Sequence, residues 1–117
     1  MKSEEKDSLI LTAVLTASET YVVVRGAFVA TDMDENVCCC AVGAGLLYAG
    51  ISREAFQDGD ACHTFAEHYD VSHNYAVGLS DGFEGAIGKT ESSTLYRRDD
   101  DYDRGFSVGE AIAREVL

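Results

Sequence analysis

Proline and tryptophan are absent from the 117 residues, and lysine occurs only as Lys2, Lys6 and Lys89. Without proline, glycine must do the punctuating, and eleven glycines are present to do it. No apolar run approaches the roughly 18 residues that a membrane-crossing helix needs, so no span is expected. The opening Met1-Lys2-Ser3-Glu4-Glu5-Lys6-Asp7 lacks the basic-then-apolar plan of an export signal, which points to a cytoplasmic setting with reduced thiols. Basic residues are few overall: 21 acidic side chains face 9 basic ones, for a net charge of −12 at neutral pH. Phosphate neutralisation requires clustered Lys and Arg, so this balance argues against direct contact with nucleic acid or an anionic membrane.

Hydrophobic residues make up 46% of the chain, enough for a core, and the length fits one domain spanning 1–117. Over 4–18, Leu9, Ile10, Ala13, Val14 and Ala17 recur at helical spacing. Leu11 and Leu15 widen that stripe, and Ser3 is in place to cap it. The β-branched and aromatic run Tyr21-Val-Val-Val-Arg-Gly-Ala-Phe-Val-Ala30 reads as a strand that Gly26 bends or bulges. A polar turn over 31–36 and a short return strand over 37–40 complete a hairpin. The spacing then predicts a helix over 40–50 stopped by Gly50, a capped helical turn at 52–56 and a break at Asp58-Gly59-Asp60. Further helices are expected over 61–69, capped by Asp60, over 73–83, capped by Ser72, and over 100–116. Residues 84–99, rich in Gly, Ser, Thr and charge, read as a loop. The expected fold class is α+β, mainly helical: four to five helices beside a short β-hairpin, with the first helix and the 40–50 helix central.

Two segments repeat the pattern Y-x-x-G-[LF]-S-x-G, at 75–82 and 102–109. On helices the pattern places Tyr75, Gly78, Leu79 and Gly82 on one stripe, and Tyr102, Gly105, Phe106 and Gly109 on another. Glycine inside a helix costs about 1 kcal/mol relative to alanine. Close approach of two backbones compensates for it, so these helices are expected to pack on each other. Asp103, Arg104, Ser107, Glu110 and Arg114 fall on the opposite, solvated face of the last helix.

Chemistry-bearing motifs are sparse. Cys38, Cys39 and Cys40 sit in an apolar run with Cys62 further on; neighbours pair poorly as disulfides, so small buried packers are expected. A zinc or thiol site built on Cys38, Cys40, Cys62 and His63 is the competing reading, although the paired C-x₂₋₄-C spacing of structural zinc is missing. Asp32-x-Asp34-x-Asn36 opens like an EF-hand loop, but the sixth and twelfth positions are Val37 and Gly43, so no EF-hand forms. His63, His68 and His73 recur every five residues, a rotation of about 140° per step, so successive members do not share a helical face. No nucleophile elbow, phosphate loop or dinucleotide fingerprint is present, and neither a catalytic residue nor a cofactor is expected.

Acid is what the chain has in abundance. Asp99, Asp100, Asp101 and Asp103 form the densest run, partly offset by Arg97 and Arg98 before it, at the start of a helix, where carboxylates complement the macrodipole. Asp32, Asp34, Glu35, Asp58, Asp60 and Glu84 fall in turns or element ends, where charges are expected to be exposed. The stretch Arg25-Gly-Ala with Asp34 and Cys39-Cys40-Ala-Val-Gly-Ala resembles a pattern in small uncharacterised bacterial and phage proteins. The resemblance continues through Tyr75-x-x-Gly-x-Ser-Asp-Gly-Phe-Glu-Gly and the C-terminal Tyr-x-x-Gly-x-x-x-Gly-x-Ala. It covers about half the chain, implies a mobile-element context and transfers no catalytic residue. The expectation is a non-enzymatic acidic protein-binding module, similar in logic to anti-CRISPR and DNA-mimic inhibitors, whose carboxylates occupy a basic nucleic-acid-binding surface of a partner protein. A halophilic housekeeping domain, whose surface acid serves solubility in brine, is the rival reading.

Overall fold

The computed structural model describes residues 2–26, 30–31, 37–57, 60–85 and 99–117. Within them the chain is mainly helical α+β, with six helices and one small sheet. The helices number six among the described residues, where four to five were expected. The polar turn at 32–36, Asp58 and most of the 84–99 loop lie outside the described residues.

Helix α1 runs Ser3–Ala17. Ser3 is already helical and does not cap it: Lys2 occupies the N-cap position in extended conformation without a side-chain cap bond. Glu4 and Glu5 stand in the first turn, where the macrodipole favours acid. Burial follows a narrower stripe than the apolar composition suggests. Ile10, Ala13, Val14 and Ala17 are buried, whereas Leu9 is 44% exposed. Asp7 falls on the same stripe, three residues before Ile10.

The expected strand over 21–30 is split. Among the described residues, β1 (Val22–Val23) and β2 (Ala30–Thr31) form, on either side of β3 (Val37–Cys39) in the order β1-β3-β2. β2 pairs antiparallel with β3, Ala30 opposite Cys38, as the arms of the expected hairpin. β1 pairs parallel, Val22 opposite Cys38 and Val23 opposite Cys39. The break has a local cause. Gly26 takes φ +108°, a conformation L side chains rarely adopt. The bend is held by the end of a distant helix: the Gly26 amide donates to the Glu84 carboxylate at 3.1 and 3.2 Å, and Arg25 Nε donates to the Phe83 carbonyl at 2.8 Å.

Helix α2 (Ala41–Tyr48) is the most deeply placed element, with every residue from Ala41 to Leu46 buried. It stops where expected. The Gly50 amide bonds the Leu47 carbonyl and the Ile51 amide bonds the Leu46 carbonyl, with Gly50 at φ +81°, which is the paired-bond left-handed helix stop. Helix α3 (Arg53–Gln57) is short. Helix α4 (Ala61–Tyr69) is capped by Asp60, whose carboxylate accepts the His63 amide at 3.0 Å. Helix α5 (His73–Glu84) is capped by the Ser72 hydroxyl, which accepts the Tyr75 amide at 3.1 Å. Helix α6 (Asp100–Val116) is capped by Asp99.

The repeat brings α5 and α6 together as its glycines predict, and in a parallel sense. Gly78 faces the Tyr102 carbonyl and Gly82 that of Phe106; Gly105 faces the Tyr75 carbonyl and Gly109 that of Leu79. Residue numbers rise together on both helices, so the two run in the same direction. A Cβ at any of the four glycines would lie within 3.0 Å of main-chain atoms of the opposite helix. The glycine hydrogens occupy that space and face carbonyl oxygens, a contact that recurs where helices cross closely. The aromatic members of the repeat flank the seam: Tyr75 and Tyr102 are each 1% exposed, and Phe106 packs at its edge. Their phenols are satisfied in parallel fashion, Tyr75 by Asp7 and Tyr102 by Asp81, both at 2.7 Å. Among the described residues no buried side-chain polar atom lacks a partner.

Gly78→Ala and Gly105→Ala are each expected to destabilise the protein by about 1–3 kcal/mol. Overpacking against a main chain that cannot rotate away exceeds the roughly 1 kcal/mol gained in helix propensity. Urea unfolding checks this, with Glu110→Ala, an exposed position on α6, expected to stay within about 0.5 kcal/mol of the parent.

Candidate functional site

Helix α1 joins the α5–α6 pair in the same direction. Asp7, Ser8 and Leu11 face Asp103, Arg104, Ser107 and Ala111 across one groove. Ser18 to Val23 meet Glu115 and Val116 at the far end. The N-termini of α1, α5 and α6 therefore emerge at one end of the molecule. The C-terminal end of α4 arrives there too, where Asp70 takes the left-handed conformation (φ 55°) that short acidic side chains tolerate.

Arg104 holds this end together. Its Nη2 donates to the Asp7 carboxylate at 2.8 Å and to the Ser3 carbonyl at 3.0 Å, and its Nη1 lies 3.6 Å from Asp101. The guanidinium also sits 5.3 Å from the centre of the Tyr75 ring, where cation–π attraction adds to the ion pair. Asp7 accepts from both Arg104 and the Tyr75 phenol on one oxygen, Oδ1. Burial, then the Asp7 carboxylate, pushes the Tyr75 phenol well above its ordinary range. For Arg104, burial works toward a lower pKa, but the Asp7 hydrogen bond and charge outweigh it and raise it. Lys6 donates to the Asp70 carbonyl at 2.6 Å and pairs with its carboxylate at 3.1 Å. Between these groups lies a cleft of about 330 Å³ lined by Ser3, Lys6, Asp70, Ser72, Tyr75 and Arg104, among others.

Around that cleft the carboxylates accumulate. Glu4, Glu5, Asp70, Asp99, Asp100 and Asp103 are exposed, and Asp101 is half-buried. Asp99 accepts the Tyr102 amide at 2.8 Å and the Asn74 side chain at 3.0 Å. Those two bonds hold its carboxyl below the ordinary carboxylate range. Asp60 joins through the first turn of α5, its Oδ2 lying 3.0 Å from His73 Nε2. Burial pushes the Asp60 carboxyl up, but the His63 amide and the His73 imidazole together hold it low.

Of the ten acidic positions singled out in the sequence, Asp99, Asp100, Asp101 and Asp103 are brought together here, and Asp60, at the N-terminus of α4, is linked to this end through His73 in the first turn of α5. Glu84 is not. It lies at the opposite end of α5, half-buried, accepting the Gly26 amide; the expectation that it stands exposed is corrected, because the bend after β1 needs an acceptor there. Asp32, Asp34, Glu35 and Asp58 lie outside the described residues. Arg104 is likewise no ordinary solvated residue of the α6 polar face, since Asp7 on α1 claims it. Sequence reasoning missed Asp7, Asp70, Lys6 and Tyr75 as members of this end. A signal for Asp7 was present: a carboxylate in phase with Ile10, Val14 and Ala17 must find a partner inside.

The cysteines pack as expected. Cys39, Cys40 and Cys62 are buried, Cys38 is half-buried, and none of the four is in a disulfide. Burial, then the neighbouring Cys40 and Cys38, raises Cys39 to about 12. Burial, then Asp60 and Cys40, raises Cys62 to about 12. Cys40 stands at the start of α2, and its first amides pull the thiol back in part without forming a cap bond; burial still lifts it to about 11. Such thiols are protonated at neutral pH and poor nucleophiles. Among the described residues no three His, Cys, Asp or Glu side chains are placed to hold a metal ion. The histidines divide. His63 pairs with Glu67 at 2.8 Å and lies 6.3 Å from the His73 ring, while His68 packs edge-on against Tyr69. The loop between α4 and α5 brings together two rings that periodicity along one helix keeps apart.

Three outcomes follow from this geometry. Arg104→Ala should cost about 1–2 kcal/mol, because it strands the half-buried Asp7, whereas Lys6→Ala, whose partner Asp70 is 93% exposed, should cost about 0.5 kcal/mol or less in urea unfolding. Asp99→Ala should cost about 1 kcal/mol at neutral pH. A carboxyl held low in the folded state stabilises above its unfolded value of about 3.9 and loses that contribution as pH falls through the folded value, so the Asp99→Ala deficit should shrink only below about pH 4. In a thiol titration of the native protein, Cys39, Cys40 and Cys62 should stay silent until denaturant is added.

Comparison with protein-family models, with curated proteins and with solved structures finds no match for this chain.

Proposed function

We propose that this chain is a non-enzymatic acidic protein-binding module that docks the end where α1, α5 and α6 begin against a basic nucleic-acid-binding surface of a partner protein. The observation that carries the reading is the gathering of exposed Asp99, Asp100, Asp103, Asp70, Glu4 and Glu5 at one end, where Lys6 and Arg104 are already engaged by Asp70 and Asp7. A field of one sign, focused on one end, accelerates encounter with a basic groove and makes association fast and salt-sensitive. Carboxylates then stand where phosphates would. Asp99 is pre-set by its cap bonds and Asp101 by Arg104, so little side-chain freedom is lost on docking. A phage-type inhibitor of the anti-CRISPR or DNA-mimic kind, acting in the cytoplasm, fits this logic. No helix among the described residues is long and apolar enough to cross a membrane.

A halophilic housekeeping domain is the second reading. It is favoured by exposed Glu19, Glu54, Glu110 and Glu115 away from that end. On that reading acid is distributed for hydration in brine rather than aimed at a partner. Salt separates the two. The binding module should stay folded in dilute buffer and release its partner as salt rises; the halophilic domain should unfold as salt is withdrawn.

The test is affinity capture from the native organism at low and high salt, followed by kinetics with the recovered partner. The triple variant Asp100→Asn, Asp101→Asn, Asp103→Asn should slow association at low salt about tenfold or more. Glu110→Gln with Glu115→Gln should leave it within about twofold. Recovery of nothing basic at low salt, or equal slowing by both variants, would overturn the proposal.

A further inference from the structure

We draw no further inference here: the strongest candidate, the apolar groove between α1, the end of α2 and α4 that Leu9, Ala13, Tyr48 and Tyr69 line, carries nothing because nothing in the structure shows what covers it.

Discussion

The approach of α5 to α6, main chain against main chain, is the constraint on which the rest depends. Four glycines permit it, and no other residue would, because each faces main-chain atoms within 3.0 Å of where a Cβ would stand. Glycine weakens both helices internally. The offset comes from contacts available only at that range: dispersion along the seam, glycine hydrogens facing carbonyls, and Tyr75 and Tyr102 packed beside them with their phenols bonded to Asp7 and Asp81.

Direction matters as much as distance. Helices joined by a tight turn run antiparallel, but these two run parallel, and α1 lies along them in the same sense. Three helix N-termini thus share one end, each with unsatisfied amides and the positive pole of its macrodipole. Acid is the natural complement there. Asp99 meets the Tyr102 amide, Ser72 that of Tyr75, and Glu4 and Glu5 sit in the first turn of α1. At the start of α6 the Tyr102 amide in turn holds the Asp99 carboxyl low, and this links the packing of the interior to the charge at the surface. Arg104 bridges the two levels: it neutralises the half-buried Asp7 and reaches Asp101, while Lys6 pairs with Asp70 at the same end.

Local signals were legible in proportion to how local their physics is. The Asp60 and Ser72 caps, the Gly50 stop and the extents of α4, α5 and α6 follow from side-chain-to-backbone bonds spanning a few residues. The 21–30 strand was misread because its β-branched composition outweighs the single Gly26, and the bend is held by Glu84 and Phe83 at the end of α5, 58 residues away. Ser3 was misassigned as a cap because the helix begins one residue earlier than its apolar stripe requires. At the candidate site, the Asp99–Asp103 run was visible as composition. Its neighbours Asp70, Glu4 and Glu5 were not, since their proximity depends on how α1 and α4 meet α5 and α6.

Residue by residue, the chain determined the starts of α4, α5 and α6 and the stop of α2, the burial of Cys39, Cys40 and Cys62, its strong negative charge and the glycine seam, because each depends on spacing or on one side chain's chemistry. Tertiary structure alone decided that the seam is parallel, that Asp7 belongs to Arg104 and Tyr75, that His63 approaches His73 and that Glu84 accepts the Gly26 amide at the bend after β1. Those outcomes depend on vectors between elements far apart in the chain, and a one-dimensional pattern carries no record of such directions until the core has packed.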